Sequence, residues 1–276
     1  MSYLQDADKI YTGFAQVTQS PLSTRLATDQ REEFCEHDYI PAFVDSYRLF
    51  RLREDLDTVS VFKEYVRDYS GSKTYFNVPC TIHCSNGVPC RLRNSIMVSA
   101  DGACRNNGQP GAQASVAVFF KNDSPFNEAH VLPERDPTSQ RAELHAGITA
   151  LRAAGTLLLD PIPKDFEGME RPTLIVLKTD SNYLVKGITE YIFKWRENGW
   201  LNARGLPVVN GALFRRLDEL VNRIEKHTAA TVKFFHVPRE LNPGADSLAN
   251  QVLDDWEEVA RERRRVVKSG RINGDF

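Results

Sequence analysis

The chain has 276 residues, 41% hydrophobic and 26% charged, the proportions of a globular protein with room for one substantial domain and an extension. Its formal net charge is −2 and its isoelectric point about 6.3, so no uniformly basic surface exists and any nucleic-acid contact must be local. The longest apolar runs, such as ASVAVFF, are too short to span a bilayer, and no membrane partner is expected.

The opening stretch MSYLQDADKIYTG has neither a basic start nor an apolar core, and Asp6 and Asp8 come early. Neither a secretory signal nor a mitochondrial presequence is expected. Five cysteines, an odd count, read as reduced thiols in an intracellular setting, nucleus or cytoplasm. Residues 1–93 form an extension of uncertain fold. Within it, TVSVFKEYVRDYSG predicts an amphipathic helix that Gly71 ends.

From residue 94 the pattern becomes regular. NSIMVSA predicts a strand with Ile96 and Val98 on one face, ASVAVFFK a second and EAHVL a third. A helix follows, with Leu144, Ile148 and Leu151 in register. TLIVLKT is a continuous apolar strand of the kind buried on both faces. The next helix places Leu184, Ile188, Tyr191 and Trp195 on one stripe, and another after Asn210 carries Leu213, Leu217, Leu220 and Ile224. TVKFFH is a strand, and a last helix aligns Ala245, Ala249, Val252, Trp256 and Val259. The order β-β-β-α-β-α-α-β-α predicts an α/β protein, a mixed sheet with flanking helices over 94–262. A basic tail is expected over 263–276.

Four acids fall at element ends: Asp101 at the close of the first strand, Glu143 in the first turn of the first helix, Asp180 after LIVLKT and Asp246 at the start of the last helix. Such ends can meet on one rim of a sheet. Singly, each acid suits a turn or a helix dipole. Gathered, they could not all stay ionised without cations. Hard oxygen ligands suit Mg²⁺ or Mn²⁺, and two such ions about 4 Å apart form a clamp for displacement at phosphorus.

The blocks DGACRNNG (101–108), TSQRAELHA (138–146), TDSNYLVKGITEYIFKWRENGW (179–200) and NPGADSLAN (242–250) together resemble type 1 ribonuclease H, over roughly residues 94–262. The resemblance implies a five-stranded mixed sheet and hydrolysis of the RNA strand of an RNA–DNA hybrid duplex, leaving 5′-phosphate and 3′-hydroxyl ends. It implies two divalent metals, Mg²⁺ or Mn²⁺, held by Asp101, Glu143, Asp180 and Asp246 as the catalytic acids. It also implies substrate contacts from Asn107, Thr138, Ser139, Gln140, Tyr183, Tyr191, Trp195 and Asn210. Thr138 and Asn210 match a pocket for a DNA phosphate, and either could instead be an N-cap. The family's arginine in that pocket has no in-register equivalent, since Asp136 occupies its place and Arg135 is one residue off. Tyr191, on the apolar stripe, reads equally as core.

Lys194, Arg196, Arg204, Arg215 and Arg216, against Glu197, resemble the basic protrusion with which family members hold the hybrid. The family's histidine before the last acid is missing; alignment from VP puts Glu240 near that place, as in plant- and retroelement-like members of the VPRE…N…AD form. The competing reading is a non-catalytic or differently specific nucleic-acid-binding member of the superfamily. In the extension, Cys35, His37, Cys80, His83, Cys84 and Cys90 offer zinc ligands, but their spacing is not that of a standard finger and buried or free cysteines are the favoured reading. A monomer is expected.

Overall fold

The structure, a computed structural model, describes residues 34–35, 48–52, 76–78, 91–92, 94–159 and 171–268. Five principal strands are present: β1 (Ser95–Asp101), β2 (Gln113–Phe119), β3 (Glu128–Val131), β4 (Leu174–Thr179) and β5 (Thr231–His236). Their spatial order is β3-β2-β1-β4-β5. β1 and β2 are antiparallel, pairing Asp101 with Ala117; β1–β4 and β4–β5 are parallel, pairing Ile96 with Ile175 and Leu177 with Phe234. Cys104–Arg105 adds a sixth, two-residue strand against the start of β2. The mixed sheet expected from the sequence is thus observed.

The helices are α1 (Ser139–Leu159), α2 (Asn182–Lys186), α3 (Ile192–Glu197), α4 (Gly211–His227) and α5 (Pro243–Lys268). One face of the sheet (Ile96, Val98, Ile175, Leu177, Val232, Phe234) packs against Leu144, Ile148 and Leu151 of α1 and Phe214, Leu217 and Val221 of α4. This is the period-2 against period-3.6 match that the apolar pattern demands.

Two predicted stripes differ from the structure. Between α2 and α3 the chain makes a π turn over Gly187–Tyr191. A π turn takes up an extra residue, so it rotates the register. The buried stripe becomes Leu184, Val185, Ile188 and Ile192, while Tyr191 turns outward, 48% exposed. Gly187 is required there, because a Cβ would lie 2.1 Å from the ring of Phe214. In α5, Ala245, Ala249 and Leu253 are fully buried, but Trp256 and Val259 are 39% and 53% exposed. The helix runs on to Lys268, so the first residues of the expected basic tail are helical; 269–276 lie outside the described residues.

Described residues ahead of position 94 also pack on the sheet. Arg48–Phe50 lies along the outer edge of β5, with the Phe50 N–H donating to the Phe234 carbonyl at 2.9 Å and the Phe234 N–H to the Arg48 carbonyl at 2.7 Å. The Met97 N–H donates to the Phe76 carbonyl at 2.8 Å. On the second face of the sheet, Phe50, Val78 and Leu92 join Met97, Leu174, Val176, Phe235, Val237 and Leu241 in a separate apolar cluster. Phe50 meets Phe235 edge-on at 5.2 Å. Phe34–Cys35 and Arg91–Leu92 pair as short parallel strands. The predicted helix ending at Gly71 lies outside the described residues.

Because Phe50 is 1% exposed, Phe50→Ala is expected to lower the free energy of unfolding by about 3–5 kcal/mol in urea titrations. A change within about 0.5 kcal/mol, as for a surface position, would show that the extension is only appended to the sheet.

Candidate active site

β1 and β4 are neighbours and run parallel, so Asp101 and Asp180 leave the sheet at the same rim. Each turn is built by its own residues. After β4, the buried Thr179 accepts the Ser181 N–H on Oγ1 at 3.1 Å, and Ser181 Oγ accepts the Leu184 N–H at 3.3 Å, capping α2. The motif TDS therefore reads as turn holder, acid and cap. After β1, Gly102 lies directly against α1: a Cβ there would come within 2.3 Å of Ala142 C and Glu143 N. Only glycine lets the strand end approach the helix that carries Glu143.

The result is a carboxylate cluster. Ligand oxygens of Asp101, Glu143 and Asp180 all lie within 4.8 Å of one another. Asp246, in the first turn of α5, is close enough to raise the pKa of Asp101. Burial, then Asp180 and Asp246, push Asp101 up to about 7. Burial, then Asp101 and Asp180, hold Glu143 well above the ordinary carboxylate range. Glu143 Oε2 is buried without a hydrogen-bond partner. An orphaned carboxylate oxygen among like charges is the expected signature of a site for a hard divalent cation, and the donor set fits one.

Three tethers around these acids were not read from the sequence. Arg239, in the short 3₁₀ turn Arg239–Leu241, donates to Asp246 Oδ1 and lowers the pKa of both Asp101 and Glu143. It, rather than the exposed Glu240, is the side chain of this turn that meets the acids. Asn242 is fully buried, and its Nδ2 donates to Asp180 Oδ1 at 3.3 Å and to the Ala100 carbonyl at 3.0 Å. It ties the ends of β1 and β4 to the start of α5. Lys178 Nζ donates to the Leu241 carbonyl at 2.7 Å, fixing the same turn from beneath; burial lowers its pKa to about 8. The available signals were a lysine inside an otherwise apolar strand, and the arginine and asparagine shortly before the last acid.

The expected substrate residues divide. Asn107 Oδ1 accepts the Ser139 N–H at 3.1 Å, joining the loop after Asp101 to the start of α1. Thr138 Oγ1 accepts the Arg141 N–H at 3.3 Å, the N-cap role. Asn210 has a left-handed backbone (φ 59°) and makes no capping bond through its side chain. Instead it accepts from Arg141 NH1 at 3.3 Å and donates to the Tyr183 hydroxyl at 3.3 Å. Arg141 thus stands beside Asn210 where the sequence offered no in-register arginine, although Glu134 also holds its guanidinium through both oxygens, with Nε donating at 2.7 Å. Arg135 is exposed. Ser139 is half-buried and Gln140 exposed on the first turn of α1. Trp195 packs between Trp200 at 6.1 Å and Phe214 at 5.0 Å, with Tyr191 at 5.8 Å on its outer side.

Of the basic protrusion, Arg215 lies over the Trp200 ring at 4.5 Å. Arg196 is exposed, and its guanidinium pairs with Asp218. Of the zinc candidates, the side chain of Cys35 and the residues His37, Cys80, His83, Cys84 and Cys90 lie outside the described residues.

The family model for RNase H matches residues 93–254. The chain is similar to Ribonuclease H of Pseudomonas entomophila, 34% identical over 164 residues, which cover 59% of this chain and 97% of the relative. It is similar to Ribonuclease H1 of Mus musculus, 32% identical over 164 residues, 58% of this chain; the match spans only half of that relative's length. Among solved structures it is similar to RNase H1 from the halophilic archaeon Halobacterium salinarum NRC-1, at 26% identity and TM-score 0.36, covering 58% of this chain and 98% of that one.

Asp101 has a higher pKa folded than unfolded, so the folded chain binds the extra proton between about pH 4 and 7, and this contribution to stability is lost as pH rises through that interval. In EDTA, Asp101→Asn should therefore match the unaltered chain at or below about pH 4 and exceed it by on the order of a few kcal/mol above pH 7. Chemical denaturation at both pH values checks this; equal stability at pH 8 would contradict the clustered charge. Asn242→Ala is expected to release Asp180 and raise the divalent-ion concentration needed for half-maximal binding by about tenfold, read by calorimetric titration.

Proposed function

The chain belongs to the RNase H family, and on that premise we propose that it is an endoribonuclease that hydrolyses the RNA strand of RNA–DNA hybrids, leaving 5′-phosphate and 3′-hydroxyl ends. The observation that carries this reading is the convergence of Asp101, Glu143 and Asp180, from three separate sequence blocks, on one point at the sheet rim. The acids of this cluster, with Asp246, would hold two Mg²⁺ or Mn²⁺ ions. Such ions, when bound, supply an activated water and stabilise the leaving oxygen of an in-line displacement.

The protein's own groups do the rest. Asp101, whose ligand oxygen lies within 4.8 Å of those of Glu143 and Asp180, would contribute to holding such an ion. Asn242 fixes the rotation of Asp180 through Oδ1, leaving the other oxygen for a ligand. Arg239 offsets part of the negative charge at Asp246. Its exposed guanidinium would also suit a substrate phosphate, since a guanidinium matches phosphate oxygens as it does a carboxylate. Asn107 spends its carbonyl on Ser139 and keeps its amide hydrogens for a ribose hydroxyl, the group that separates RNA from DNA. Gln140, exposed one residue beyond Ser139, extends the same edge. Lys194, Arg204, Arg215 and Arg216, on α3, α4 and the loop between them, supply phosphate contacts that carry no sequence preference.

Cleavage of a labelled uniform hybrid with Mg²⁺ or Mn²⁺ tests the reading. Asp101→Asn and Asp180→Asn are expected to lower the rate by at least about a thousandfold while hybrid binding persists. Hybrid should be cut in preference to duplex RNA or duplex DNA, and a single ribonucleotide within DNA should be a poor substrate. A chain that binds the hybrid and cuts nothing with either metal would contradict the enzyme reading.

A further inference from the structure

The protrusion that would hold the hybrid is joined to the extension by a buried ion cluster. Arg48 is fully buried, and its NH1 meets Asp218 Oδ1 at 2.6 Å. Its NH2 donates to Asn222 Oδ1 at 3.0 Å. Both acceptors lie on α4. From α3, Arg196 Nε donates to Asp218 Oδ2 at 2.8 Å and its NH2 to Oδ1. The two guanidiniums flank the ring of Phe193, with their carbons 6.0 and 5.9 Å from its centroid. Asp218 is thus a joint at which the extension, α3 and α4 meet.

The other end of this connection is the sheet. The backbone of Arg48–Phe50 is bonded to Phe234 on both sides, in the strand next to the one that ends at Asp180. One residue therefore runs from the strand layer carrying the acids to the two helices that frame the loop from Asn198 to Asn210. That loop and its flanks hold Trp200, Arg204, Arg215 and Arg216. Arg48 lies outside the residues that match the family, 93–254.

We propose that Arg48 is a positioning residue for substrate: through Asp218 and Asn222 it sets the angle between α3 and α4, so that the extension fixes the basic loop at the right distance from the cleavage centre. This rests on the hybrid-cleavage reading. The geometry favours it over a simple brace, because the buried guanidinium bonds two side chains of α4 and stands beside Phe193 of α3. A buried charge with specific partners costs desolvation that an apolar side chain would not, and its bidentate reach fixes geometry in a way lysine cannot.

The test uses the full chain. Arg48→Met removes the guanidinium but leaves Asp218 paired with Arg196. Binding of a fluorescein-labelled RNA–DNA hybrid is read by anisotropy in the cleavage-deficient Asp101→Asn background, and kcat and KM are read in the active chain, well below the unfolding temperature. Kd and KM are expected to rise about tenfold with kcat within about twofold, and Arg48→Lys should recover part of the loss. Should Arg48→Met not fold, Asn222→Ala, which keeps the Arg48–Asp218 pair, is expected to raise Kd about threefold. Unchanged Kd and KM in a folded variant whose melting temperature has dropped would reduce Arg48 to a brace and overturn the proposal, as would a fall in kcat at constant KM. An unaltered chain that neither binds nor cuts hybrid overturns the functional reading and this proposal with it; an active chain indifferent to Arg48 overturns this proposal alone.

Discussion

Carboxylates repel, and they repel most where water is excluded. Asp101 and Glu143 are largely buried within reach of Asp180, which no local preference of the chain would produce. The arrangement persists because the sheet holds it. β1 and β4 are pressed together along five paired residues, and both faces of that pair are covered, one by α1 and α4 and the other by the Phe50–Met97–Val176–Phe235 cluster. Apolar burial on this scale greatly exceeds the cost of a few raised pKa values. The acids are therefore placed by the core, and their charge state adapts to the place.

What the core does not fix is orientation, and polar tethers supply it. Gly102 lets the end of β1 touch α1, Asn242 bonds to both strand ends, and Lys178 holds the turn before α5. Each joins elements distant in sequence. Lys178 tolerates burial because its ammonium donates a hydrogen bond to the Leu241 carbonyl. Asn242 is the more revealing case. Its donors are used on Ala100 and Asp180, while its own carbonyl oxygen is buried without a partner. A structural asparagine would be expected to satisfy both ends. This one is left open beside Asp180 of the carboxylate cluster.

The elements legible in the sequence were those with a regular apolar period. β1, β2, β4, β5, α1 and α4 followed from alternation or an i, i+4 stripe, and the four acids stood out because they sit where those periods stop. Misreadings came where the period changed without a compositional sign. The π turn at Gly187–Tyr191 moved Tyr191 off the stripe, and α5 outran the sheet after Leu253, exposing Trp256. Arg239 and Arg196 were illegible in role for a different reason. A charged residue's partner is set by tertiary contact, so the pairing of Arg196 with Asp218 could not be read from the sequence. The extension was opaque because its described contributions are short and aperiodic. Three residues along β5, and one backbone bond at Phe76, leave no pattern to find.

Arg239 shows which effect governs the site. One guanidinium beside Asp246 lowers the pKa of Asp101 and Glu143, but burial and the neighbouring acids act more strongly, in that order, and both groups remain raised. A single delocalised charge on an exposed side chain cannot offset that much like charge at short range, since solvent screens it more than it screens the buried acids. The residual shift measures unmet positive charge. A divalent ion meets it better than a second arginine would: it carries twice the charge at about 2 Å from each oxygen and needs no side-chain ordering. In this arrangement Arg239 is bonded to Asp246, and the electrostatic demand of the other three acids is of the kind a divalent cation meets.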